Sequence, residues 1–314
     1  MDPLASFSPH VSEWFRNAFA EPTPAQAQAW PAIATGEHVL LSAPTGSGKT
    51  LAAFLWGLDR LGREPSGRTR LVYVSPLKAL SYDIERNLRA PLRGIGSEVK
   101  VALRTGDTPQ AERAAMRRHP PDILITTPES LYLMLTSQAR TLFDEVEAVI
   151  VDEIHAVAST KRGSHLALTL ERLSAQAGRD VQRIGLSATQ NPLEEVGRFL
   201  VGPQRTCRIV DAGIRKPLDV RIQVPVESMV EPSDPTHPAD LDPLAGGEAT
   251  RRSIWPAIYP QILEQVQQHR STIVFVNNRR GAERLALRLN ELAEADIARA
   301  HHGSLAREER LVVE

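Results

Sequence analysis

The chain has 314 residues, enough for about two domains, and its 42% hydrophobic and 24% charged residues are ordinary globular composition. A net charge of −1 excludes a generally basic nucleic-acid binder, so any hold on phosphates has to come from local groups. One cysteine, Cys207, rules out an internal disulfide and a Cys-rich zinc site. No apolar run approaches the roughly 20 residues of a membrane span, and Met1-Asp2-Pro3-Leu4 opens no secretory signal, so a cytoplasmic protein is expected.

Short apolar runs recur at residues 39–42, 71–74, 99–103, 123–125, 148–151, 184–186 and 207–210, separated by helix-length amphipathic segments. Such runs read as buried parallel strands joined by crossover helices. They predict one open α/β domain over residues 1–212, whose ligands belong at the carboxyl ends of the strands. From 213 to 252 the rhythm breaks: a strand-like 220–224 is followed by Pro225, Pro232, Pro235, Pro238, Pro243 and Gly246-Gly247. So many prolines suit neither a helix nor a central strand, so this stretch is expected to be a linker with a proline-rich insertion loop. After it the α/β rhythm resumes over 253–314, with a helix at 255–268, a strand at 272–276, a helix at 279–294, a strand at 297–300 and a helix start at Leu305. About three strands make a poor sheet domain, so this second domain is expected to be truncated. Only five of the 37 basic residues are lysine (49, 78, 100, 161 and 216), and two of them fall in motifs.

The strongest motif is A-P-T-G-S-G-K-T at 43–50, placed after a strand-like run and before a helical pattern over 51–61. Glycines let backbone N–H groups turn toward a phosphate, and the following helix adds the positive end of its dipole. Thr45, Gly46, Ser47, Gly48, Lys49 and Thr50 are therefore candidate nucleotide ligands, Lys49 reaching the β- and γ-phosphates and Thr50 ligating Mg²⁺. Ala43 stands where the motif's first glycine would be. D-E-I-H at 152–155 directly follows an apolar run. An acidic pair after a strand is by itself usually a solvated turn, but beside a phosphate cradle Asp152 can hold Mg²⁺ through its water shell and Glu153 can prepare a water. No H-E-x-x-H occurs, which leaves a zinc-protease reading without support.

Together with S-A-T at 187–189, these motifs resemble the superfamily 2 helicases, and L-S-A-T-Q-N-P-L-E-E-V (186–196) with S-P-L-K-A-L (75–80) narrows the resemblance to the Lhr, large helicase-related, group. The resemblance implies a RecA-like, P-loop NTPase motor domain followed by a truncated second RecA-like domain. It implies ATP and Mg²⁺ as cofactors and Gln26, in F-A-E-P-T-P-A-Q (19–26), as the reader of the adenine edge. It implies that His155, Ser187 and Thr189 couple hydrolysis to strand separation. R-T-G-D-T (104–108) and T-T-P-E-S-L (126–131) join S-P-L-K-A-L as strand-gripping segments, V-F-V-N-N-R (274–279) is similar to motif IV, and H-H-G-S-L (301–305) to a later segment. The nucleic-acid candidates are then Ser75, Pro76, Lys78, Arg104, Thr105, Gly106, Thr126 and Thr127, with Asn277, Asn278 and Arg279 in the second domain. Taken singly, such hydroxyls are helix caps and turn residues. Arg113, Arg117 and Arg118 read as a solvated helix face and Cys207 as an inert core thiol.

The implied activity is ATP-dependent translocation on single-stranded DNA, 3′ to 5′, unwinding DNA duplexes or RNA:DNA hybrids in a repair setting. In the family the arginine finger lies further along the second domain. Such a finger is worth on the order of 10³–10⁵ in rate, so the chain alone is expected to bind ATP, hydrolyse it feebly and not unwind. A non-catalytic binder and an RNA helicase stay open as alternatives, because phosphate contacts carry little information on sugar type.

Overall fold

Four-residue runs such as Val39-Leu40-Leu41-Ser42 and Ala148-Val149-Ile150-Val151 are buried along their whole length, which only a sheet covered on both faces allows. The computed structural model describes residues 2–63, 66–76, 78–188, 191–213, 219–223, 255–302 and 304–305. The chain divides into two units, Met1–Pro217 and Leu218–Glu314.

The first unit runs α1 (Pro9–Ala18), α2 (Pro24–Ala34), β1 (Val39–Ser42), α3 (Lys49–Arg63), β2 (Leu71–Val74), α4 (Lys78–Ile95), β3 (Val101–Arg104) and α5 (Gln110–Arg118). It continues with β4 (Ile123–Thr126), α6 (Pro128–Leu135), β5 (Ala148–Val151), α7 (His155–Ala158), α8 (Lys161–Ala177), β6 (Gln182–Ser187), α9 (Leu193–Val201) and β7 (Arg208–Asp211). The seven strands form one sheet in the order β3-β4-β2-β5-β6-β1-β7, and every pair is parallel. This is the RecA-like α/β arrangement expected. Side chains such as Leu41, Tyr73 and Ile150 pack on one face with α2, α3 and α4. Leu40, Val72 and Val149 pack on the other with α6, α8 and α9. All seven anticipated strands are present; β3 and β7 start one or two residues later than their apolar runs.

Each parallel strand feeds a loop at its carboxyl end, and the strand order sorts those loops. The ends of β3, β4 and β2 carry R-T-G-D-T, T-T-P-E-S-L and S-P-L-K-A-L, while those of β5, β6 and β1 carry D-E-I-H, S-A-T and the glycine-rich loop. The two sets occupy separate halves of the sheet, meeting at the β2–β5 pair.

A buried arginine ties β6 to its covering helices. Arg183 is 1% exposed, and its guanidinium donates to the Leu200 carbonyl at 3.0 Å and pairs with Glu171 at 3.0 Å. Its backbone N–H donates to His38 Nδ1 at 3.0 Å, so the His38 proton sits on Nε2, facing Asp180 at 3.3 Å. Burial pulls the His38 pKa below its ordinary 6.5, a pull that Asp180 only partly offsets. The folded value lies below the unfolded one, so His38 contributes stability above 6.5 that is lost as pH falls through 6.5 toward the folded value. Melting curves from about pH 7 to about pH 5 should show this acid limb in the parent, and a shallower one in His38→Asn. Equal slopes would refute the assignment.

In the second unit, α10 (Trp255–Gln268) and α11 (Arg279–Ala293) pack through Tyr259, Leu285 and Leu289. Both helices were anticipated. The anticipated strands at 272–276 and 297–300 are not found: these segments carry no regular structure and no ladder in the described residues. Segment 297–298 instead spends its backbone on one side chain, Asn290, whose amide bonds Ile297 N–H, Ala298 N–H and the Ala298 carbonyl at 2.8–3.0 Å. Ile273 and Phe275 are 80% and 91% exposed; strand-like residue types make a strand only where a neighbouring strand offers partners. Residues 219–223 likewise form no strand, and residue 224 lies outside the described residues. The proline-rich insertion (Pro225 to Gly247) and the helix expected after Leu305 also lie outside them.

Candidate nucleotide site and neighbouring strand ends

The glycine-rich loop leaves β1 at Ser42, anchored by the Ala43 N–H donating to the Ser187 carbonyl at 3.1 Å. Gly46 and Gly48 take φ of +79° and +81°, left-handed values that disfavour any side chain. A Cβ on Gly46 would meet nothing within 4 Å, whereas one on Gly48 would lie 2.5 Å from Gln26 Nε2. The loop is therefore backed by α2 on one side and open on the other, as a phosphate cradle must be. Thr23 and Gln26 form the capping box of α2, and the same two side chains brace the loop: Thr23 Oγ1 donates to the Ser47 carbonyl at 2.7 Å and Gln26 Nε2 to that of Gly48 at 3.4 Å. Gln26 is buried with both amide atoms engaged, so reading an adenine edge requires it to exchange one of these partners. Thr45 is exposed and Thr50 half-buried beside the loop. Lys49, at the first turn of α3, folds back so that Nζ donates to the Ala43 and Pro44 carbonyls at 2.6 and 2.9 Å. Burial lowers its pKa, opposed by the charges of Glu153 and Asp152, which places both carboxylates within electrostatic reach of the ammonium.

Asp152 ends β5 with its N–H donating to the Val74 carbonyl at 2.9 Å. Its Oδ1 accepts the Glu153 N–H at 2.8 Å, and its Oδ2 accepts the phenol of Tyr73. Burial, then the neighbouring carboxylate, raises the Tyr73 pKa well above its ordinary value and keeps the phenol a donor. Glu153 has φ +45°, a strained setting for glutamate of the kind that clusters at functional sites. His155 Nδ1 accepts the Ala188 N–H at 3.2 Å and lies 3.4 Å from Ser187 Oγ, so Nε2 carries the proton and faces Glu153 Oε2 at 3.2 Å. One imidazole thus spans the acidic pair and the S-A-T segment. Thr189 lies outside the described residues.

On the other half of the sheet the candidate grips stand on adjacent strand ends, but the threonine hydroxyls among them are engaged within the protein. Ser75 is buried and its N–H donates to the Thr126 carbonyl at 3.0 Å; Pro76 follows it. Arg104 donates to the Thr105 carbonyl at 2.6 Å, Thr105 Oγ1 accepts the Asp107 N–H at 3.3 Å, and Thr126 Oγ1 donates to the Arg104 carbonyl at 2.7 Å. Thr127 Oγ1 caps α6 through Ser130 N–H at 3.4 Å. The Lys78 side chain lies outside the described residues. Arg113 corrects an expectation: it is no free surface charge but clamps the R-T-G-D-T loop, donating to the Thr108 and Gly106 carbonyls at 2.7 and 2.8 Å. Arg117 and Arg118 are exposed, as anticipated. In the second unit Asn278 caps α11 through Gly281 N–H at 2.7 Å, Arg279 bonds Ser304, and Asn277 is exposed.

Residues 23–196 match the family described as DEAD/DEAH box helicase. The chain belongs to the DEAD/DEAH box helicases. Within that family its similarity runs to the Lhr type. It is 49% identical to a Mycolicibacterium smegmatis protein described as Lhr helicase/probable uracil glycosylase, over 100% of this chain and 23% of that protein. It is 42% identical to the ATP-dependent helicase Lhr-Core of Saccharolobus solfataricus, over 98% of this chain and 35% of that protein. The structure of Mycobacterium smegmatis helicase Lhr bound to ssDNA and AMP-PNP superposes with a TM-score of 0.82 at 50% identity, covering 100% of this chain and 40% of that one. The chain thus spans between about a quarter and about a third of the length of these two relatives.

Thr50 and Asp152 are the residues of this chain that could hold magnesium beside a nucleotide. Both offer hard oxygen donors, the kind magnesium takes, since it keeps several waters and binds one or two carboxylates plus phosphates. The open side of Gly46 leaves room for those phosphates. No described helix of the chain is long and apolar enough to cross a membrane. Cys207 is half-buried, and burial pushes its thiol up to about 11, away from reactivity. Sequence reasoning missed Tyr73 and Arg113. A tyrosine inside the fully buried run Leu71-Val72-Tyr73-Val74 was a usable signal, because a buried phenol demands a partner.

Proposed function

We propose that this chain is the ATP-hydrolysing part of a helicase that moves along single-stranded DNA. In this reading the loop N–H groups and Lys49 hold the phosphates, Thr50 and Asp152 hold magnesium, and Glu153 orients the attacking water. The metal, when bound, neutralises charge on the phosphates. His155 carries the reading: it touches both Glu153 and the Ser187-Ala188 segment, so a change at the phosphate end is felt at the strand that bears S-A-T. Ser75, Pro76, Lys78, Arg104, Thr105, Gly106, Thr126 and Thr127 then grip the strand from the other half of the sheet, with Asn277, Asn278 and Arg279 contributing from the second unit. In this reading cations and loop backbone groups hold the phosphates, contacts that position a strand without reading its bases.

Single-stranded DNA is favoured over RNA because the 50% identical Lhr structure carries ssDNA. Movement 3′ to 5′, unwinding of DNA duplexes or RNA:DNA hybrids, a repair setting and a cytoplasmic location complete the proposal. The test is phosphate release by the 314-residue chain with single-stranded DNA or RNA of equal length and sequence. Release by the chain alone should be slow, and DNA should stimulate it several-fold more than RNA; sustained, fast turnover would overturn the expectation of feeble hydrolysis. Equal or greater stimulation by RNA would favour an RNA helicase, and no stimulation by either would leave a non-catalytic binder.

A further inference from the structure

The two halves of the sheet meet at the β2–β5 pair, and a buried side-chain hydrogen bond crosses that seam beside the nucleotide site. Tyr73 is fully buried in β2, and its ring stacks on Phe54 of α3 with centroids 4.8 Å apart at 28°. In register it lies opposite Ile150, two residues before Asp152, and its phenol donates to Asp152 Oδ2. The other carboxylate oxygen is held by Glu153 N–H. A carboxylate turns broadly about its last torsion; here one donor on each oxygen fixes its plane. One of those donors stands on the strand that leads directly into Ser75 and Pro76.

We propose that Tyr73 is a positioning residue for the metal-holding carboxylate: it sets the plane of Asp152 so that the remaining lone pairs face the magnesium water shell. It also anchors that plane to β2, the strand that delivers the S-P-L-K-A-L segment. Partners of this kind, one step removed from a metal, typically change metal affinity by about 10–100-fold when lost. The inference rests on Asp152 being the magnesium carboxylate, as proposed above.

Tyr73→Phe removes the hydroxyl and keeps the stack on Phe54. Binding of a fluorescent ATP analogue to the 314-residue chain is titrated with Mg²⁺ and repeated without metal. The variant should need about 10-fold or more Mg²⁺ for half-maximal binding, with metal-free binding and melting temperature near the parent's. Equal weakening with and without metal, or an unchanged Mg²⁺ requirement, overturns the proposal. Asp152→Asn separates the two layers of argument. If it raises the Mg²⁺ requirement and Tyr73→Phe does not, only the role of Tyr73 fails; if neither does, the metal reading fails as well. Should Tyr73→Phe not fold, Tyr73→Met is measured in its place. Failure of both to fold also overturns the proposal, because the phenol would then serve the fold and not the aim of the carboxylate.

Discussion

Lys49→Ala should reduce strand-stimulated phosphate release by about 10²–10³-fold, the usual cost of losing a preorganised charge-stabilising donor, while the chain stays folded. Lys49 is 7% exposed, and its ammonium is satisfied by two loop carbonyls, those of Ala43 and Pro44. The Ala43 carbonyl is buried, so losing this donor costs the fold about 1–3 kcal/mol. The nucleotide loses more. Without the ammonium, Asp152 and Glu153 face an incoming polyphosphate as uncompensated like charges, and their repulsion adds to the lost attraction. Arginine is a poor substitute, since its planar fork cannot fold back between two carbonyls as a compact ammonium does. The lowered Lys49 pKa has a direction too: release should fall on the alkaline side earlier than an ordinary lysine would make it, because the charged form is needed. Phosphate release, nucleotide binding and a melting curve on the same preparation decide the matter. Near-normal release by folded Lys49→Ala would remove the cradle from the mechanism.

Arg183→Ala should be the more damaging change for the fold, by about 2–4 kcal/mol. Truncation leaves a cavity beneath α8 and α9 and strips the Leu200 carbonyl and Ser174 hydroxyl of a donor. Glu171 suffers less, because it is 45% exposed and keeps Arg205 at 2.8 Å; its attraction for Arg183 is screened by water. At about 2–4 °C per kcal/mol for a domain of this size, the melting temperature should drop visibly. Arg183→Met should behave differently. Arg183 Nε is buried with no partner, so the guanidinium already bears a desolvation cost that a thioether of similar length escapes. The methionine variant fills the cavity but still leaves the Leu200 carbonyl without its donor, so it is expected to lie between the parent and the alanine variant. A methionine variant as unstable as the alanine one would show that the ion pair, not the packing, holds this region.

The motifs and the central strands were legible in the sequence for the same reason: each depends on residues that are neighbours in the chain. Buried parallel strands read as unbroken apolar runs, and β1, β2 and β5 match theirs residue for residue. Slips occur at β3 and β7, the two edges of the sheet, where half-exposed positions loosen the link between apolar run and ladder. In the second unit, Ile273 and Phe275 have the residue types of a strand without its pairing. What stayed hidden in the site was long-range or rested on backbone partners. Tyr73 and Asp152 are 79 residues apart; Arg113 is a local case, hidden because its partners are the backbone carbonyls of Thr108 and Gly106, which no side-chain pattern announces.

The division of the sheet also bears on how such a motor diversifies. Loops after β3, β4 and β2 can lengthen, shorten or change charge without any residue of the glycine-rich loop, D-E-I-H or S-A-T being a sequence neighbour. On the proposed reading, substrate preference and ATP use are separately mutable, joined mainly where β2 and β5 run side by side. On that reading, loop grafts confined to the ends of β3, β4 and β2 should change polymer preference while leaving the proposed ATP-consuming half as it is.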